Sequence, residues 1–382
     1  MIYLDNAATT KIKQEVVEAM MPYFTDKWYN PSSLYDNATH IKKDIDNARE
    51  KIAKYINADT KEIYFTSGGS ESNCWAIQGF VHYCIARGVK PCVITSMIEH
   101  KSIIECVNNL NGTDIEYVEV DSDGFVDIRQ LQNIMLREKL CGAEILISIQ
   151  FANNEIGTIQ HIKEIANEVH RFNGVFHTDA VQAFGQIPID VKELGIDMMS
   201  VSGHKIECPK GIGALYIRKG VAISPLIYGS QMDGMRGGTE NVPYIIGMAK
   251  AIELIRADEE YDLRMTVLRN NFITGLKALG CNVNGSLDRR LPNNINITFL
   301  GNITGEALLY TLDMCGIQIG TGSACNSKSI EPSYVLKAIG LTDEEAMKTI
   351  RITLPHDITI DEIDIAMCEI EKAIKIINEG VC

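Results

Sequence analysis

Val175-Phe-His-Thr-Asp179, Met198-Met-Ser-Val-Ser202 and Gly213-Ala-Leu-Tyr-Ile217 are three short β-prone runs, and the chain between them decides the fold. Twenty-six residues separate Asp179, at the end of the first run, from Lys205, just past the second. One helix and one returning strand fill that length, so both residues can stand on the same edge of a sheet. Upstream, Glu62–Thr66, Pro91–Ser96, Ile115–Val120 and Glu144–Gln150 read as further strands. Helical patterns at Glu71–Ala86, Ser102–Asn109, Ile128–Leu140 and Ile162–Phe172 alternate with them. That alternation predicts βαβ units, an α/β class and a mostly parallel seven-stranded sheet covered by helices. Sites in such sheets gather beyond the strand C-termini.

After Gly220 the pattern changes. A loop rich in Gly and Met, Tyr228–Gly238, leads into one long helical stretch from about Pro243 to Leu279. A smaller α+β unit is expected next, with strands Asn294–Leu300, Ile317–Gly320 and Thr349–Leu354 and helices Gly305–Cys315 and Pro332–Ile339. A final helix follows Thr359, where Thr359 and Glu362 have capping-box spacing and Ile363, Ala366, Met367, Ile370, Ile374 and Ile377 form one apolar face. The expected division is a small domain of residues 1–15 and 245–382 and a large domain of residues 16–244. Helical segments near Lys13–Met21 and Thr39–Tyr55 are expected to pack with the smaller unit.

Composition narrows the function. A net charge of −14, from 36 basic and 50 acidic residues, argues against a surface that gathers phosphate backbones, so direct nucleic-acid binding is not expected. No apolar run reaches the length of a membrane span, and the first residues carry neither a basic region nor an apolar signal core, so a cytoplasmic protein is expected. The 11 cysteines contain no Cys-x-x-Cys pair and no cluster at zinc-ligand spacing, which points to reduced thiols and no metal.

Three local signals carry chemistry. Ser202-Gly-His-Lys205 puts an amine at a strand end, where desolvation or a neighbouring cation makes it an imine former. Asp179 puts a carboxylate on the same edge, with Gln182 shortly after it. A carboxylate so placed can keep a pyridinium nitrogen protonated. Thr66-Ser-Gly-Gly69-Ser70-Glu-Ser-Asn73 joins a strand end to a helix start through paired glycines, a backbone anion site for one phosphate. Each has a plainer reading alone: a surface lysine, a helix N-cap, a tight turn. In this order they are what a pyridoxal-phosphate enzyme requires.

With Tyr3-Leu-Asp-Asn-Ala-Ala-Thr-Thr10, Asn30-Pro-Ser-Ser33, Glu99-His-Lys-Ser102, Asn153-Asn-Glu-Ile-Gly157, Gly237-Gly-Thr-Glu-Asn-Val242 and Gly322-Ser-Ala-Cys325, the sequence resembles the cysteine desulfurases of the nitrogen-fixation and iron–sulfur-assembly type. These are class-V aminotransferases with the aspartate-aminotransferase-like fold of type I pyridoxal-phosphate enzymes. The resemblance implies that Lys205 holds pyridoxal 5'-phosphate covalently, Asp179 pairs with the ring nitrogen and Gln182 reaches the phenolic oxygen. It makes His100 the ring-stacking residue, also a candidate for proton transfer. The phosphate is assigned to Gly69, Ser70, Ser202 and His204, with Thr239 reaching the site of a neighbouring subunit in a homodimer. Asn154 and Arg351 are assigned to the substrate carboxylate, and Asn154 to the cofactor as well. Cys325, with Lys328 close by in sequence to favour a thiolate, is implied as the persulfide carrier that passes sulfur from L-cysteine to an iron–sulfur scaffold or thiolation enzyme.

Four places depart from the pattern: Tyr35, Cys208, Met232 and Pro355-His356. Cys208 is a second thiol near Lys205 in sequence, for which a buried structural role is expected. The alternatives to desulfuration are a selenocysteine lyase, an aminotransferase or β-lyase on the same fold, and a scaffold whose site has decayed.

Overall fold

The computed structural model describes residues 1–256, 260–301, 303–321 and 331–379, and it gathers the seven β-prone runs into one sheet. In chain order the strands are β1 (Ile2–Leu4), β2 (Ile63–Thr66), β3 (Pro91–Ser96), β4 (Asp114–Val118), β5 (Glu144–Ser148), β6 (Val175–Asp179), β7 (Met198–Ser202) and β8 (Gly213–Ile217). The large sheet runs β2-β8-β7-β6-β5-β3-β4. Its β4-β3-β5-β6-β7 portion is parallel throughout, and β8 runs antiparallel to both of its neighbours.

Both faces of this sheet are covered, which is why its strands read as near-continuous apolar runs. Along β3 and β5, Cys92, Ile94, Ile145 and Ile147 enter one core while Val93 and Leu146 enter the other. The first core is closed by helices Asp36–Tyr55, Ile128–Leu140, Ile162–Arg171 and Val242–Arg256. The second is closed by Gly69–Ala86 and Lys101–Asn108, whose Trp75 and Ile77 are fully buried.

The second sheet joins β1 to β9 (Cys281–Val283), β10 (Asn294–Phe299), β11 (Ile317–Thr321) and β12 (Thr349–Thr353) in the order β1-β11-β12-β10-β9. Here only one face is apolar. Ile350 and Ile352 of β12 and Ile295 and Ile297 of β10 meet helices Tyr261–Ala278 and Ile360–Asn378. The opposite face carries Asn294, Asn296, Thr298, Thr349, Arg351 and Thr353, all buried. This polar face meets the large unit: Asn294 and Asn296 each donate from Nδ2 to the Glu155 carbonyl at 3.2 Å. The final helix has the expected capping box and apolar face.

Four expectations change. The stretch from Pro243 to Leu279 holds two helices, Val242–Arg256 and Tyr261–Ala278, in different cores. Ile245, Met248 and Ile252 of the first pack in the large core, so a unit boundary at residue 245 cuts through a helix that belongs to the larger unit. The early helices Gln14–Met20 and Asp36–Tyr55 follow the same correction: Val16, Ile41, Ile45 and Ile52 lie in the large core, and only β1 joins the smaller unit. Amphipathic periodicity marks a buried face without naming its partner. Finally, the short helix expected from Pro332 begins at Tyr334 because the Ser333 hydroxyl caps it, accepting from Val335 and Leu336 amides at 3.1 and 3.3 Å.

Candidate active site

Beyond the C-terminal ends of β2, β3, β5, β6 and β7 lies a cavity of about 450 Å³, closed on its far side by Thr321, Glu331, Ser333 and Arg351 of the smaller unit. Of the residues singled out in the sequence, Gly69, Ser70, His100, Asn154, Asp179, Gln182, Ser202, His204, Lys205 and Arg351 all line it. Thr239 does not; it is exposed and stands outside the lining of its own chain's cavity. Cys325 and Lys328 lie outside the described residues, while Thr321 and Glu331 on either side of that segment line the cavity.

The anion cradle begins where β2 ends. Gly68 is the N-cap of helix Gly69–Ala86, and Gly213 stands level with both Thr66 and Ser202. A Cβ on Gly213 would sit 2.5 Å from the Val201 carbonyl and 2.7 Å from Gly68 Cα, so a side chain there would push the helix start away from Ser202. Glu71 locks the turn: the Ser67 amide donates to it at 2.7 Å and Arg236 Nε at 2.9 Å. Burial works against the ionised form of Glu71, but these bonds outweigh it and hold its carboxyl below the usual range. Arg236 thereby ties the segment that leads to Thr239 to the cradle.

At the end of β6, Asp179 is buried and doubly held, accepting from Asn73 Nδ2 at 2.7 Å and from the Val181 amide at 2.9 Å. The segment after it is a turn rather than a helix, and it brings Gln182 Nε2 to 3.1 Å from the Ala7 carbonyl. Lys205 Nζ donates to the Ala7 carbonyl as well and to that of Ala8 at 2.7 Å. The N-terminal strand of the small sheet thus ends in a segment that crosses to the lysine, and Thr10 pins it there through its amide, which donates to the His204 carbonyl at 2.9 Å. His204 is held neutral, its pKa pushed down to about 4 by burial and then by the charge of Lys205.

Arg351 comes from β12. Its Nη2 donates to Asp5 Oδ1 at 2.7 Å and its Nη1 to the Asn154 carbonyl at 3.1 Å, which sets the two expected carboxylate-binding residues side by side. Cys208 is buried and burial raises its thiol pKa steeply, so its sulfur stays protonated and structural.

The residues fit pyridoxal phosphate. The lysine, the buried carboxylate and the helix N-terminus share one cavity, and a Cβ on Gly69 would meet Val181 Cγ2 at 2.6 Å, so only glycine lets the helix start come this close to the segment after Asp179. Residues 2–365 match the aminotransferase class-V family. The chain belongs to that family. It is 48% identical over 369 residues, 95% of this chain and 89% of its relative, to the cysteine desulfurase IscS of Methanosarcina thermophila. It is 46% identical over 381 residues, 98% and 94% of the two chains, to the cysteine desulfurase IscS of Dictyoglomus turgidum. Among solved structures it is similar to a NifS-like protein with TM-score 0.89 and 35% identity, covering 98% of this chain and 99% of that one. A NifS-like protein from Rickettsia africae gives 0.88 and 33%, with the same coverage.

Several residues of this class-V site carried no role in the sequence reading. Asp5 and Asn73 lay inside quoted motifs, yet their partners Arg351 and Asp179 are 346 and 106 positions away. Glu155, at the cavity wall, and Glu99, behind it, are buried carboxyls. Burial pushes Glu155 up to about 7, although Ser333 donates to it at 2.5 Å and Arg351 and Lys101 favour its charge. Burial likewise pushes Glu99 up to about 8 against the bonds from Ser96 and Gln150. A carboxyl whose folded pKa is raised binds its proton more tightly in the folded chain, so stability is lost as pH rises from the unfolded value of 4.5 to the folded one. Glu155→Gln keeps an acceptor for Ser333 without the buried charge. Its melting temperature relative to the native protein is therefore expected to rise between about pH 4.5 and pH 7 and to level off above that. Thermal unfolding at four pH values checks this, and a difference independent of pH would refute it.

Proposed function

We infer that the chain is a pyridoxal-phosphate-dependent cysteine desulfurase, converting L-cysteine to L-alanine and leaving the sulfur as a persulfide on Cys325. The observation that carries this reading is the meeting of Lys205, Asp179, His100 and Arg351 in one cavity, with the ends of the Cys325 segment at its wall. When bound, pyridoxal phosphate supplies an electron sink for the pair left on the substrate α-carbon. The Gly69 and Ser70 amides, Ser202 and His204 would hold its phosphate. Asp179, kept in place by Asn73, would serve the ring nitrogen, and Gln182 and His100 would hold the rest of the ring.

Lys205 would hold the cofactor, and its Nζ, in the same cavity, would be the base that takes the substrate α-proton. Arg351 and Asn154 fix the substrate carboxylate, so that the α-proton points at Lys205. Cys325 Sγ then attacks the substrate sulfur: the carbon–sulfur bond breaks, a sulfur–sulfur bond forms and the three-carbon remainder leaves as alanine after protonation. A second protein thiol collects the persulfide sulfur, for iron–sulfur cluster assembly or for tRNA or cofactor thiolation.

The working unit is a homodimer in which Thr239 serves the partner's phosphate site. Its exposure, and that of Trp28 and Tyr35, whose rings flank the half-buried Tyr29 at centroid distances of 4.8 and 6.0 Å, supports a second copy of the chain. The acidic net charge supports a protein without direct nucleic-acid contact. No helix among the described residues is long and apolar enough to cross a membrane, and the reading places the enzyme in the cytoplasm.

The deciding experiment measures alanine and sulfide from L-cysteine with pyridoxal phosphate and a thiol reductant. Equimolar products are expected from the native protein, and neither from Cys325→Ala, which retains the visible band of bound cofactor. Pyruvate instead of alanine, or native alanine production by Cys325→Ala, would overturn the reading.

A further inference from the structure

Helix Lys101–Asn108 is capped in an unusual way, by the His100 ring. The Ser102 amide lies 3.1 Å from His100 Nδ1, and the Ser102 hydroxyl oxygen lies 2.8 Å from the same atom. A backbone N–H can only donate, so Nδ1 must present its lone pair. The direction of the hydroxyl follows from the other side. Asn73, on helix Gly69–Ala86, points Nδ2 at both Asp179 Oδ2, 2.7 Å away, and Ser102 Oγ, 2.9 Å away. The carboxylate fixes which way round the amide sits, since the reverse orientation would set two acceptors against each other. The two amide protons are then spent, one on each partner. Ser102 Oγ accepts from Asn73, and its own proton is directed at His100 Nδ1.

We infer that Asn73 and Ser102 form a hydrogen-bonded bridge from Asp179 to His100 that holds His100 as the neutral imidazole with its proton on Nε2. His100 therefore meets substrate and cofactor as a hydrogen-bond donor and does not act as a base. This rests on the reading of the cavity as the pyridoxal-phosphate site. Protonating Nδ1 would replace two accepted hydrogen bonds by a clash of protons, and the backbone donor cannot turn round. Its pKa is lowered, by burial first; Asp179 opposes this, and Lys205 and Lys101 add to it. With Nε2 already protonated and Nδ1 engaged, the ring has no free lone pair facing the reaction. Proton abstraction falls to Lys205, while Nε2–H can stabilise negative charge that develops beside it. Asn73 and Ser102 are positioning residues, acting through His100 and Asp179.

The test is nitrogen NMR of protein labelled with 15N-histidine and freed of cofactor, with His100 among the 8 histidines assigned by the signal lost in His100→Asn. The native protein is expected to show an unprotonated Nδ1 and a protonated Nε2 for His100, unchanged between pH 8.5 and pH 6. Ser102→Ala removes one of the two donors to Nδ1, and the proton affinity of His100 is expected to rise about tenfold, the scale of one hydrogen bond. Ser102→Thr, which keeps the hydroxyl, is expected to restore the native signal. A protonated Nδ1 in the native protein, or a Ser102→Ala protein whose His100 titrates as in the native one, overturns the bridge. These readings need neither cofactor nor turnover, so failure to desulfurate cysteine would refute the function without touching them.

Discussion

Lys205→Ala is expected to lower cysteine turnover by at least roughly 10³-fold and to release the cofactor on gel filtration. Two roles end together in this variant. A positioned general base alone contributes ~10²–10⁴-fold, and the covalent anchor is lost with it. The fold is expected to survive, because the lysine's partners include the Ala7 and Ala8 carbonyls at the wall of an open cavity, where water can replace it. Gln182 still donates to Ala7 at 3.1 Å. Equilibrium dialysis against pyridoxal phosphate, absorbance of the bound cofactor and alanine release separate the two roles. A small primary amine, for which a cavity of about 450 Å³ has room, is expected to restore part of the base function without restoring retention of the cofactor. Turnover within tenfold of native would remove Lys205 from both roles.

The sequence made the large sheet legible because its strands are buried on both faces. Val175–Asp179, Met198–Ser202 and Gly213–Ile217 match to the residue, since an apolar run between turn signals has little freedom to slip when both sides meet a core. The positions of Asp179 at the end of its strand and of Lys205 just past its own followed from that. The connections between distant segments did not. Nothing in Tyr3-Leu-Asp5 announces an ion pair with Arg351, which forms because β1 and β12 both neighbour β11. Nor does Val242–Arg256 declare in its own pattern that it packs on Asp36–Tyr55 instead of continuing with Tyr261–Ala278. Nothing in the sequence around Glu99 and Glu155 marks them as proton-binding; burial in the folded chain is what raises both toward neutrality.

Arg351→Lys is expected to raise the KM for cysteine ~10- to 100-fold with a smaller change in kcat, and the geometry says why a lysine will not serve. The guanidinium is already committed to Asp5 at 2.7 Å and to the Asn154 carbonyl at 3.1 Å, and its rigid fork still leaves protons for a substrate carboxylate. An ammonium is a point charge on a flexible stem, and it cannot hold Asp5, Asn154 and a carboxylate at fixed angles. A hydrogen bond to a charged group is worth ~1.5–3 kcal/mol, and each 1.4 kcal/mol is about tenfold in binding. Arg351→Ala separates binding from stability. It strands Asp5, whose side chain is only 18% exposed, as a carboxylate without its cation. Breaking a buried pair costs ~3–5 kcal/mol, and this partial exposure places the expected loss at or below the lower end. Adding Asp5→Ala to Arg351→Ala is expected to recover much of the melting temperature while leaving the KM as high as in Arg351→Ala. If the double variant also regains native KM, Arg351 acts by holding the N-terminal segment in place, and the substrate carboxylate binds elsewhere.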